Sequence, residues 1–169
     1  MGTFANARAV YGLHATGTPA GTNVSGTVTV GATQTETEFA DGDVAYSFMV
    51  TSTGASDVAT LTLSSGAVAQ TTGTPTIVDG DGNDFEGVAL PTMATVHAIL
   101  LEVVDNGTSI SVTSSNTELP DIPSLAGTAD AIRFLMTLPS GVQSALGTIA
   151  FGFSASGDAI KVTVLAQSS

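Results

Sequence analysis

Apolar side chains alternate with small polar ones along most of the 169-residue chain, and a period of two marks a strand that buries one face. The first sustained run sets Val24, Val28 and Val30 against Ser25, Thr27 and Thr29, so a sandwich is expected to begin near Thr22. A stronger run interleaves Val44, Tyr46, Phe48 and Val50 with Ala45, Ser47 and Thr51. Thr53 to Asp57 closes it as a turn, and Val58, Leu61 and Leu63 then alternate with Thr60, Thr62 and Ser64, so the pair reads as a β-hairpin. Thr71 to Val78 reads as a short edge strand, because Pro75 cannot donate to a ladder.

The segment Thr95 to Val104 is almost unbroken in its apolar character, which predicts a central strand covered on both faces. Asp105-Asn106-Gly107 follows it. Asn-Gly reaches the positive φ angles of a type I′ turn at little steric cost, so the chain is expected to return directly, as a hairpin, into Ile110 and Val112. Leu119 to Pro123 reads as extended linker, and Ile132, Phe134, Met136 and Leu138 at even spacing predict another strand. Gly147 to Phe153 and Ala159 to Leu165, joined by Ser154 to Asp158, end the chain as a meander. Asp43 and Asp158 each follow Gly and open a strand, a likeness too short to mark a duplication. No amphipathic stripe of 3.6-residue period exceeds two turns. The expected fold is all-β, an antiparallel two-sheet β-sandwich or jelly roll over residues 21–169, with residues 1–20 as an extended N-terminal arm.

Composition narrows what such a fold could do. Fifteen Asp and Glu stand against three basic residues, Arg8, Arg133 and Lys161, for a formal charge of −12. No cationic patch can therefore release counterions from a phosphate backbone, and an anionic membrane surface would repel the chain. Apolar residues make up 43% and charged ones 11%, the opposite of a disordered composition, so a folded and soluble protein is expected. A start at MGTFANARAV, without the basic and apolar regions of a secretion signal, and the absence of Cys point to synthesis in a reducing cytoplasm. Asn23 and Asn106 lie in glycosylation sequons, read as chance in a Ser/Thr-rich chain. The apolar excess over what one core hides points to a homo-oligomer.

Chemistry-bearing residues are few. Asp79, Asp81, Asn83, Asp84 and Glu86 form the densest run of oxygen ligands and are the candidate Ca²⁺ site. An EF-hand is excluded, because Asp84 stands where that loop needs Gly and Leu90 where it needs Glu. Glu36, Glu38, Asp41 and Asp43 could supplement the same ion only if the fold brought them near. His14 and His97 are the whole imidazole inventory, and His97 reads as a hydrogen-bonded structural residue at the start of the most apolar strand. No nucleophile-elbow, zinc-protease or phosphate-loop pattern occurs, so no enzyme is expected and no catalytic residue or organic cofactor is named. The chain has no Trp and two Tyr, little aromatic surface for stacking sugars.

Three segments, DGDGNDFEGVALP from Asp79 to Pro91, ISVTSSN from Ile110 to Asn116 and GDAIKVTVL from Gly157 to Leu165, resemble the style of capsid decoration (cement) proteins of tailed bacteriophages. That resemblance implies a β-sandwich or jelly roll, often trimeric, on the virion's capsid surface, where it bridges neighbouring subunits of the major capsid protein without catalysis. In that setting Phe4, Arg8, Tyr11 and His14 are the expected partner-binding residues, because they put aromatic and basic groups outside the sandwich. The alternatives are another virion component (tail tube, tail tip or head fibre) or a cell-surface adhesin or carbohydrate-binding module.

Overall fold

The computed structural model describes residues 8–11, 14–17, 28–31, 35–38, 44–88, 90, 92–105, 109–125, 132–143 and 147–168. These form fourteen strands and no helix. Four short strands come first: β1 (Arg8–Tyr11), β2 (His14–Gly17), β3 (Val28–Gly31) and β4 (Thr35–Glu38). Ten more follow: β5 (Val44–Thr51), β6 (Val58–Thr62), β7 (Val68–Thr72), β8 (Thr76–Asp79), β9 (Met93–Asp105), β10 (Ile110–Ser114), β11 (Ile122–Leu125), β12 (Arg133–Gln143), β13 (Thr148–Phe153) and β14 (Ala159–Ser168).

Those ten strands make two antiparallel sheets of five. Sheet A has the order β12-β9-β14-β5-β8 and sheet B the order β11-β10-β13-β6-β7. Position by position, the two orders pair strands that are consecutive in the chain: β12 with β11, β9 with β10, β14 with β13, β5 with β6, β8 with β7. The sandwich is thus a stack of five β-arches, each crossing from one sheet to the other. Without β7 and β8 it is the eight-stranded jelly roll, and that additional arch extends both sheets beyond β5 and β6.

This arrangement corrects three expected pairings. The strands on either side of Thr53 to Asp57, those on either side of Asn106 and Gly107, and the last two strands are not hairpins, since each pair is split between the sheets. The physical reason is that alternation looks the same in both cases. In a hairpin the apolar residues of two strands point the same way within one sheet, and in an arch they point at each other across the core.

The core lies between the sheets. Phe48, Val50, Leu61, Ile99, Leu101, Ile110, Ile149, Phe151, Ile160, Val162 and Val164 are each at most 1% exposed. Phe48 touches Phe151 edge-on across the sandwich, with ring centroids 6.2 Å apart. The segment after β8 closes one side of the sandwich: Asp84 bridges to Val78 of β8, Glu86 bridges to Val68 of β7, and Phe85 between them turns inward. Its ring stacks on Phe48 at 5.7 Å and on Tyr46 at 6.2 Å. Burial also pushes the Tyr46 phenol above its ordinary 10.0.

Strand β9 is flanked on both sides, by β12 and β14, as a central strand should be. Among the described residues its outer face is covered only in part: Ala98 is buried at 8% and Leu100 half-buried, but Val104 is 43% exposed, so the expectation of cover on both faces holds only at one end of the strand.

The first four strands join neither large sheet. β1 pairs with β4, Arg8 opposite Glu38 and Tyr11 opposite Thr35, and β2 pairs with β3, His14 opposite Gly31 and Gly17 opposite Val28. The strand expected to open the sandwich near Thr22 is therefore β3, paired only with β2, and among the described residues the first sandwich strand starts at Val44.

Candidate functional site

The acidic run after β8 is built as a turn around Asp79. Asp79 Oδ1 accepts the backbone N–H of Asp81 and of Asn83, both at 2.9 Å, and the Asn83 side-chain amide lies 3.2 Å from Oδ2. The Asn83 amide, first among these donors, holds the Asp79 carboxyl below its ordinary 3.8. Farther along, Asp84 Oδ1 accepts the Glu86 N–H at 3.0 Å, and Glu86 Oε1 accepts the Gln70 N–H at 3.3 Å. Asp79 and Asp84 thus turn toward the backbone of their own run and Glu86 toward β7, and among the described residues no three acidic or imidazole groups come together as a metal ion requires. The five expected calcium ligands are neighbours in sequence, but their oxygens do not converge. Asp84 and Glu86 instead border an open groove of about 390 Å³ that Gln70, Thr74, Thr76 and Gly82 also line. The residues at 41 and 43 lie outside the described residues.

Sequence reasoning missed the structural weight of two other carboxylates. Asp57 and Asp158 each precede the strand that follows an arch, and both are buried, at 4% and 0% exposed. Asp57 Oδ2 accepts the N–H of Thr53 at 2.8 Å and of Gly54 at 3.0 Å, together with the Thr53 hydroxyl at 3.2 Å. The Thr53 hydroxyl also lies 3.0 Å from Thr74 O, which ties this turn to the β7–β8 arch. The β5–β6 arch is also joined to the β13–β14 arch, since Ser52 Oγ donates to Ala155 O at 2.7 Å and Ser52 N to Asp158 O at 2.9 Å. The only advance signal was the recurrence of Ser-Asp and Gly-Asp directly before an alternating run.

These donors, the Thr53 amide first, hold Asp57 below the ordinary carboxylate value of 3.8. A carboxyl depressed on folding adds stability above its unfolded pKa and loses it as pH falls through the folded one. Asp57→Asn is therefore expected to cost most above about pH 5, with the gap to the parent chain shrinking as pH falls below 3.8. Urea unfolding of both chains from pH 7 to pH 3 checks this, and a pH-independent gap would contradict the latch.

His97 lies at a break in both ladders of β9. Against β14, Ala98 pairs with Leu165 and Val96 with Ala166, so His97 is the extra residue of a bulge. Against β12, Ala98 pairs with Thr137 and Val96 with Val142, so four residues that include Pro139 stand opposite it. The bulge returns Val96 to the core, at 0% exposed, and buries His97 at 3%, with Nε2 3.4 Å from Thr95 Oγ1. That is a structural histidine set by strand geometry.

The two outer faces differ sharply. Sheet B presents Thr60, Thr62, Ser111, Thr113, Thr148 and Ala150, and among the described residues its face carries no charge. Sheet A presents Glu102 with a cation on either side. Arg133 and Lys161 sit directly opposite it on β12 and β14, with Arg133 Nε 2.8 Å from Oε1 and Lys161 Nζ 4.0 Å from Oε2. Around this cluster lie Leu100, Val104, Leu135, Leu165 and Met49.

Of the expected partner-binding residues, Arg8 and Tyr11 lie on β1 and His14 on β2. Their side chains, and Phe4 altogether, lie outside the described residues. Comparison with protein-family models, with curated proteins and with solved structures finds no match to this chain.

Proposed function

We propose that this chain is a non-enzymatic structural protein of a tailed-phage particle, made in the host cytoplasm, that decorates the outside of the capsid and bridges neighbouring major capsid subunits as a homo-oligomer, with a trimer favoured. The observation that carries the reading is a latched jelly-roll body with two further strand pairs, β1 with β4 and β2 with β3, that join neither of its sheets. A rigid body with separate strand pairs can seat on one subunit while reaching the next, and many modest contacts repeated around a shell add avidity. The sequence resemblance to cement proteins points the same way.

These strand pairs decide how the arm should be tested. Because β1 and β2 pair with β4 and β3, removing residues 1–20 would leave two strands without partners, and the clean deletion is residues 1–38. On particles lacking the protein, the deleted chain is expected to show occupancy at least about tenfold lower than the full chain at equal concentration. Equal occupancy would contradict the arm's role in bridging. One observation favours a carbohydrate-binding module as the second reading: the polar groove bordered by Gln70, Asp84 and Glu86. Glycan binding lost in Glu86→Ala would support it over the capsid reading.

A further inference from the structure

Strand β9 carries apolar residues on both faces, and among the described residues its outer face is covered only in part. Its core face packs against sheet B, whereas Leu100 and Val104 point outward beside Leu135 of β12, itself 39% exposed. The strands of sheet B show what a solvated face of this protein looks like, with Thr, Ser and small residues outward beside the half-buried Val58 of β6. The outer face of sheet A departs from that pattern and carries, in Arg133 and Lys161, two of the chain's three basic residues. Their side chains are 75% and 45% exposed, and they share one carboxylate, Glu102, at 19%. In a chain of formal charge −12 any two copies repel, so contact between copies requires a place where the local sign reverses. Among the described residues this face is that place.

The complementary surface lies at the other edge of the same sandwich. The order of sheet A puts β12 at one edge and β8 at the other, about 19 Å away at ordinary strand spacing. Directly after β8 come Asp81, Asp84 and Glu86, all exposed, and then Val88, which at 36% is the remaining large exposed apolar residue among those described. One edge therefore offers carboxylates with an apolar knob, and the outer face offers cations among apolar side chains, Arg133 on the opposite edge strand and Lys161 on the middle strand.

We propose that the outer face of sheet A around Arg133, Leu135 and Lys161 docks the segment Asp81 to Val88 of a second copy of this chain. The contact is heterologous, one surface meeting a different surface, so copies related by a rotation axis close into a ring. The apolar pairing supplies the buried area, and the opposite charges set orientation and exclude the acidic remainder of the surface. This rests on the homo-oligomer part of the preceding proposal and is independent of which particle the protein joins.

The test is the mass of the full chain in solution, by sedimentation equilibrium, for the parent and for two charge-reversed variants. One carries Arg133→Glu with Lys161→Glu, and the other Asp81→Lys with Asp84→Lys. The parent is expected to associate, each variant alone to dissociate at least about tenfold more readily, and an equimolar mixture of the two to recover association. Leu135→Ser should weaken the parent without any change of charge, and thermal melts confirm that each variant is folded. A monomeric parent, folded variants that associate as the parent does, or a mixture that fails to recover would each overturn the proposed contact. The first of these outcomes also removes the homo-oligomer, while the capsid reading stands or falls separately on copy number in particles.

Discussion

Phe48→Ala is expected to destabilise the protein by about 3–5 kcal/mol, the cost of deleting a fully enclosed aromatic ring whose surroundings relax only in part. Phe48 is 1% exposed and joins three parts of the structure. It stands on β5, its ring meets Phe151 of β13 across the core, and Phe85 from the segment after β8 stacks on its other side at 5.7 Å. Removing it opens a cavity between the sheets and leaves the Phe85 plug without its main ring contact. For a chain of this size the loss corresponds to a fall in melting temperature of about 10 °C. A fall under about 2 °C would mean that the segment after β8 does not share the core of the sandwich.

Gly73→Ala is the second large effect. The β7–β8 arch has three residues, Gly73 to Pro75, between strands in opposite sheets, and Gly73 takes a φ of +71° to make the crossing. A side chain in that left-handed conformation costs about 1–3 kcal/mol. The added Cβ would in addition overlap Asp57 Oδ1 and lie 2.8 Å from its Cγ, pushing out the carboxylate that holds Thr53 and Gly54. Gly82 supplies the control, because it has a φ of +84° with nothing within 4 Å of its Cβ position. Gly82→Ala should therefore show the backbone cost alone, and chemical denaturation should place Gly73→Ala clearly below it. Equal losses would show that the contact with Asp57 contributes nothing.

The strands themselves were legible in the sequence, and their partners were not. Val44 to Val50, Val58 to Leu63, Ile110 to Val112 and Ala159 to Leu165 alternate as written and lie in strands or directly at their ends, because a half-buried pleat imposes its period on composition. Whether the next strand lies beside the first or across from it depends on how five arches stack, which no local window contains. Asn106-Gly107 shows this plainly: its turn chemistry favours a hairpin, yet β9 and β10 belong to different sheets. The bulge at His97 was equally hidden, since it appears only when the ladders of β12 and β14 are set against β9.

The acidic run from Asp79 to Glu86 was legible as a cluster of oxygens but not as a turn in which Asp79 and Asp84 accept from its own amides and Glu86 from β7. Its one aromatic, Phe85, is the residue that reaches the core. An isolated aromatic within a run of Asp, Gly and Asn was the available sign. Cover on both faces of β9 was expected from its apolar run, and among the described residues the outer face is covered at Ala98 but not at Val104. That uncovered part is where the chain's self-association is proposed.

Copy number in purified virions tests the account's central claim most directly. Quantitative mass spectrometry should find the chain in a simple ratio to the most abundant shell protein, with hundreds of copies per particle. A few to some tens of copies would place it in a tail or vertex fibre, and its absence from particles would contradict a role in the virion altogether.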